Sequence, residues 1–197
     1  HGFLRVVRIL HRMLFCGVEL DVSPAAFYQV NHDAAELLCK TAADIADLKG
    51  DEDLLDLYCG IGSVGLSMAH RVRRLTGVEI VPQAVECAIK NAERAGIANA
   101  KFVCADSADG AADILAKADE LPDIVVLDPP RKGCAPELLN SLTNAGIKKI
   151  VYISCNPATL ARDCSHLTKQ GWNIGEVHPV DLFPRTGHVE SVVYLDR

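Results

Sequence analysis

A cysteine set between a strand and a helix is the residue of this chain best placed to do chemistry. The string Ser154-Cys155-Asn156-Pro157-Ala158-Thr159-Leu160-Ala161-Arg162-Asp163 follows the apolar run Ile150-Val151-Tyr152-Ile153, which reads as a buried strand. Open α/β sheets bind ligands just outside the carboxyl ends of their strands. A thiol at that end can reach a substrate, and one inside the strand cannot. The position suits a nucleophile. Out of context, a cysteine after an apolar run is more often a small buried hydrophobe, so its neighbours decide.

Two further segments bring groups of the right kind. Asp56-Leu57-Tyr58-Cys59-Gly60-Ile61-Gly62-Ser63-Val64-Gly65 leaves an apolar strand and opens a helix. Gly60 and Gly62 let the backbone turn tightly and approach a ligand. Glu79 ends the next strand, where a carboxylate can accept hydrogen bonds from both hydroxyls of a ribose. Gly60, Gly62 and Gly65 also satisfy G-x-G-x-x-G, so this loop alone fits a dinucleotide as well as S-adenosylmethionine. A tight turn with no ligand is the plain alternative. Asp106 ends a third strand and either faces an adenine amino group or caps the next helix.

Asp128-Pro129-Pro130-Arg131-Lys132-Gly133 separates the two ligands. Its prolines fix φ and remove donors, which holds Asp128 and nearby carbonyls rigidly at the sheet edge. A dehydrogenase has no particular use for that. Asp128 as acceptor and Arg131 as donor suit a flat nucleobase held beside a methyl donor.

These groups need a sheet edge to sit on, and the chain alternates accordingly. Strands are predicted over 54–58, 75–80, 100–104, 124–127, 150–153 and 191–195. Helices are predicted over 31–48, 65–70, 82–96, 111–118, 136–145 and 158–170, and 173–180 leads into the last strand. The expected fold is therefore α/β, a doubly wound and mostly parallel sheet of Rossmann-like type. Residues 1–22 look like short strands and read as the remnant of an upstream domain, with the main domain over 23–197. The first residue is His1 rather than Met, which reads as a piece of a longer protein.

Composition narrows the class. A chain of 197 residues, 49% of them apolar, suits one domain with at most an appendage. A net charge of −6 argues against a broadly basic, non-specific nucleic-acid binder but leaves room for a local basic cleft. The eight cysteines show no C-x-x-C pair and no zinc-like spacing, so no metal is expected, and a reducing cytoplasm is. No apolar run reaches the ~20 residues that span a bilayer.

Together these residues resemble the S-adenosylmethionine-dependent RNA uracil-5-methyltransferases, with their class I methyltransferase fold. The matching stretches are Phe27-Tyr28-Gln29-Val30-Asn31, the 56–62 loop, Asp128-Pro129-Pro130-Arg131, the Ser154-to-Asp163 string and Phe183-Pro184-Arg185-Thr186-Gly187-His188-Val189-Glu190. The resemblance implies Cys155 as nucleophile and Glu190 as the base that removes the C5 proton. It implies Gln29, Tyr58, Ser63, Glu79, Asp106 and Asp128 around the methyl donor, joined by Gly60 and Gly62; relatives often carry Asn at the position of Ser63. The implied substrate is a uridine of structured transfer or ribosomal RNA, gripped by upstream RNA-binding domains, some of which carry an iron–sulfur cluster.

The implied chemistry explains the residue types. Uracil C5 attacks a sulfonium methyl poorly until a thiolate has added at C6 and made the ring an enolate. Arg131 or Arg162 would stabilise charge at O4 or favour the thiolate, and the sequence leaves that choice open. Tyr58, Phe27 and Phe183 are the aromatics for stacking a flipped base, and His188 is either a proton shuttle or structural. Rival readings are an RNA cytosine-5 methyltransferase, whose nucleophile follows a proline elsewhere, a catalytically silent RNA-binding module, and a nicotinamide dehydrogenase.

Overall fold

The computed structural model describes residues 11–22, 31–117, 121–187 and 189–197. The chain opens with an antiparallel hairpin of β1 (His11–Phe15) and β2 (Val18–Val22). Cys16 and Gly17 turn it, both at positive φ. Then α1 (His32–Ala46) leads to β3 (Asp53–Leu57), α2 (Ser63–Met68) and a single 3-10 turn. Next come β4 (Arg74–Glu79), α3 (Pro82–Arg94), β5 (Ala100–Cys104) and α4 (Ser107–Lys117). The second half holds β6 (Ile124–Leu127), α5 (Pro136–Ala145), β7 (Lys149–Ser154) and α6 (Pro157–Thr168). It closes with β8 (Asn173–Val180) and β9 (Glu190–Asp196).

Seven strands form one sheet in the order β5-β4-β3-β6-β7-β9-β8. The first five of that order run parallel, and β9 pairs antiparallel with both β7 and β8. From β3 the chain builds outward to β5, then returns to lay β6 on the other side of β3. The place where strand order reverses is where an open sheet leaves a crevice at its carboxyl edge.

Strand residues alternate between two cores. Leu54, Ile124, Val126, Val151, Ile153 and Val192 join α1, α2 and α3 on one face. Leu55, Leu57, Val125, Leu127, Ile150, Tyr152, Val193 and Leu195 join α5 and α6 on the other. Covering both faces is what makes these strands read as unbroken apolar runs. The hairpin belongs to the first core through buried Phe15 and Leu20. It is also tied to α3, where the Asp21 amide donates to Asn91 Oδ1 at 2.7 Å.

The doubly wound expectation holds, with one informative boundary error. Helix α4 begins at Ser107, four residues before the predicted start, because the Ala108 amide donates to Asp106 Oδ1 at 2.9 Å. Gly110 hides that start, being a poor helix former. A side chain there has no room: a Cβ would lie 2.6 Å from Val78 Cγ1.

Candidate active site

Five strand ends meet at the carboxyl edge. Below it, Asp56 on β3 accepts from the Gly65 amide at 3.0 Å through Oδ2, pinning the start of α2 under the loop. Its Oδ1 is buried with no hydrogen-bond partner. Burial and the Glu79 charge push this carboxyl up to about 7. After β3 the chain turns through Tyr58, Gly60 and Gly62, all at positive φ. Gly62 belongs there for a second reason, since a Cβ would meet the Phe102 ring at 3.2 Å. Over Gly60 the space is open, with nothing within 4 Å of an added Cβ.

Glu79 is held across this loop. It accepts from the Gly60 amide at 3.0 Å and from the Val81 amide at 2.9 Å, one bond to each oxygen. The remaining lone pairs are free to accept ligand hydroxyls. Ser63 stands half-buried at the first turn of α2. Asp106 caps α4 through one oxygen, the second of its sequence readings, and the residue is exposed at the edge.

On the other side of the reversal lie Asp128, Arg131, Cys155 and Glu190. The register of β7 on β9 pairs Ser154 with Ser191. Continuing it by one residue sets Cys155 opposite Glu190, so an antiparallel strand delivers to one point two residues 35 positions apart in the chain. Glu190 is buried, and burial holds its carboxyl above the usual range. Asp128 is pushed to about 8 by burial, then by the charges of Glu190 and Asp56. Near neutral pH its raised pKa lets it carry a proton and donate, besides the acceptor's role that the sequence reading gave it. The Cys155 thiol is raised by burial and by the Glu190 and Asp128 carboxylates, while its backbone and the Arg131 guanidinium pull it down.

Arg131 and Arg162, left as alternatives by the sequence, occupy different places. Arg162 Nε donates to Asp163 at 2.8 Å, and its Nη2 reaches the carbonyls of Lys132 at 2.9 Å and Cys134 at 3.3 Å. It holds the loop after β6. Arg131 is the arginine whose charge acts on the Cys155 thiol. Phe183 lies half-buried near the edge, while Phe27, Gln29 and His188 fall outside the described residues.

Asp56 and Asp163 were passed over in the sequence. Each left a signal: Asp56 interrupts a leucine-rich strand, and Asp163 sits beside Cys164 at helical spacing from Leu160 and Leu167 on the buried side of α6.

The sequence profile of the tRNA (Uracil-5-)-methyltransferase family matches residues 18–197. The chain belongs to that family. Among its relatives, an RNA methyltransferase of Clostridium acetobutylicum is 42% identical over 179 residues, 91% of this chain and 39% of the relative. One from Listeria monocytogenes is 44% identical over the same shares. The crystal structure of the Pyrococcus abyssi tRNA (uracil-54, C5)-methyltransferase in complex with S-adenosyl-L-homocysteine aligns with a TM-score of 0.78 and 33% identity. It covers 94% of this chain and 44% of that one. This uracil-5-methyltransferase family member thus spans about two fifths of the length of the curated relatives it matches.

Proposed function

We propose that this chain is the catalytic domain of an S-adenosylmethionine-dependent methyltransferase acting on C5 of a uridine in transfer or ribosomal RNA. The observation that carries the reading is the meeting of Cys155 and Glu190 at the β7/β9 edge, on the same carboxyl edge of the sheet as the Glu79 cradle. The cradle fits the methyl donor: a fixed carboxylate for ribose hydroxyls, open backbone at Gly60, and Asp106 at the neighbouring strand end. The donor, when bound, supplies a methyl group on a positively charged sulfur. Gln29, Tyr58 and Ser63 complete its surroundings in this reading.

The residues then divide the work. Cys155, as thiolate, adds to C6 of the flipped uracil, and the C5=C6 electron pair moves to O4. Arg131, with protonated Asp128, stabilises the oxygen's charge. C5 takes the methyl group, and its bonding pair stays with the departing sulfur. Glu190 accepts the C5 proton, the C5=C6 bond reforms, and the Cys155 thiolate leaves. One nucleophile, one base and one pair of donors account for every atom.

The relatives' longer chains agree with RNA capture by parts beyond this domain, whose own charge is negative. No helix among the described residues is long and apolar enough to cross a membrane, and the eight cysteines are free. We place the enzyme in the cytoplasm. Tritium release from RNA carrying 5-tritiated uridine tests the reaction, with transfer and ribosomal RNA as separate arms. Release that needs both S-adenosylmethionine and Cys155 is expected. Methyl transfer without tritium release would place the methyl elsewhere and overturn the reading.

A further inference from the structure

Polar side chains of the Ser154-to-Asp163 string reach across to the loop after β6, besides capping their own helix. Asn156 Nδ2 donates to the Arg131 carbonyl at 3.1 Å, and Thr159 Oγ1 shares its one proton between that carbonyl at 3.3 Å and the Asn156 carbonyl at 3.0 Å. Arg162 takes the carbonyls of Lys132 and Cys134. Asp163, buried, accepts from the Cys134 amide at 2.9 Å and the Tyr152 hydroxyl at 2.6 Å through Oδ2. Its Oδ1 accepts from Arg162 at 2.7 Å. Gly133, at φ 75°, lies so close that a Cβ would be 2.5 Å from Asp163 Oδ2.

We infer that Asp163, with Thr159, is a positioning residue: it clamps the 129–134 loop onto α6 and so sets the distance between Arg131 and the Cys155 thiol. The inference rests on Cys155 being the nucleophile. Prolines alone do not fix this distance, because Arg131 and Cys155 belong to different strand–helix units. A carboxylate buried on α6 that binds the backbone of the loop, and a hydroxyl on the same helix that binds its Arg131 carbonyl, join the two units directly.

The test is the pH dependence of Cys155 alkylation by iodoacetamide, read by peptide mass spectrometry without RNA, for wild type, Asp163→Asn and Thr159→Val. Removing a carboxylate acts directly by lowering a neighbouring thiol's pKa. Releasing the clamp moves Arg131 away and raises it. The expected result is an upward shift of the alkylation midpoint by about half a unit or more in both variants. The rate of RNA methylation is expected to fall about tenfold or more, with S-adenosylmethionine affinity held within about twofold. Thr159→Val buries no charge and carries the test should Asp163→Asn fail to fold. An unchanged or lowered midpoint in the folded variants overturns the clamp. A wild-type enzyme that never methylates uridine overturns the proposed function instead, because the alkylation profile is read without RNA.

Discussion

In the proposed reaction Cys155 has to shed a proton before it adds to a ring carbon, and two carboxyl groups raise its pKa against that. Glu190 and Asp128 both raise its pKa, and Arg131 counters them. The arrangement makes sense if Asp128 is protonated for much of the cycle, because a neutral acid repels a thiolate far less and donates to the substrate. Glu190 then remains the group available as base. Replacing it by glutamine keeps the shape and removes the proton acceptor. Glu190→Gln should still form the covalent RNA adduct and transfer methyl, but fail to release product, slowing turnover by about 10²–10⁴. A gel-stable, methylated protein–RNA species on ordinary uridine RNA is the expected outcome. Full turnover by this variant would remove Glu190 from the base's role. At this scale the sequence singled out Cys155, because its string is unusual. The raised pKa of Asp128 stayed hidden, since it depends on burial and then on Glu190 and Asp56, which lie far away in the chain.

Elements explain why the groups converge. Parallel strands bring Tyr58, Glu79, Asp106, Asp128 and Cys155 to one edge, and a single antiparallel strand brings Glu190 back to them. Unbroken apolar runs alternating with helical patterns sufficed to place these strands. The error at α4 arose where a glycine, required by packing against Val78, broke the pattern. Loop geometry was less legible: Arg162 looked like a substrate-facing cation until its bonds to the 132 and 134 carbonyls were seen. Gly133 makes a test at this level. Gly133→Ala places a Cβ into Asp163 at a positive φ, costing about 1–3 kcal/mol. Thermal unfolding should fall by several degrees, and adduct formation should drop while S-adenosylmethionine binding persists. A variant with wild-type melting and wild-type adduct rate would show that the loop does not need its observed path.

At the scale of the whole molecule, buried carboxyls leave a mark on stability. Asp56 and Asp128 move from an ordinary 3.8 to about 7 and about 8. Folded-state values above unfolded ones mean that the fold holds extra protons. Their contribution is fully present below about pH 4 and is lost as pH rises through 7 to 8. The melting temperature should therefore decline from pH 5 to pH 8. Asp56→Asn, which keeps an acceptor for the Gly65 amide, should flatten that decline, with a gain on the order of 5 °C at pH 8. The carboxyls held below their usual range, such as Asp53 beside Arg73 and Arg74, act at lower pH and leave this window clear. An unaltered slope in Asp56→Asn would contradict the assignment. The sequence announced a sheet edge able to bind a nucleotide, but not this cost, which appears only when four distant acids share one crevice.

Trapping with RNA containing 5-fluorouridine, in the presence of S-adenosylmethionine, tests the central claim most directly. Fluorine at C5 leaves Glu190 no proton to remove, so elimination stops with the enzyme attached to the methylated base. The account predicts a gel-stable adduct whose mass includes the methyl group and whose protein link maps to Cys155, absent in Cys155→Ser. An adduct mapped to another cysteine, or none from an enzyme that methylates ordinary uridine RNA, would contradict it.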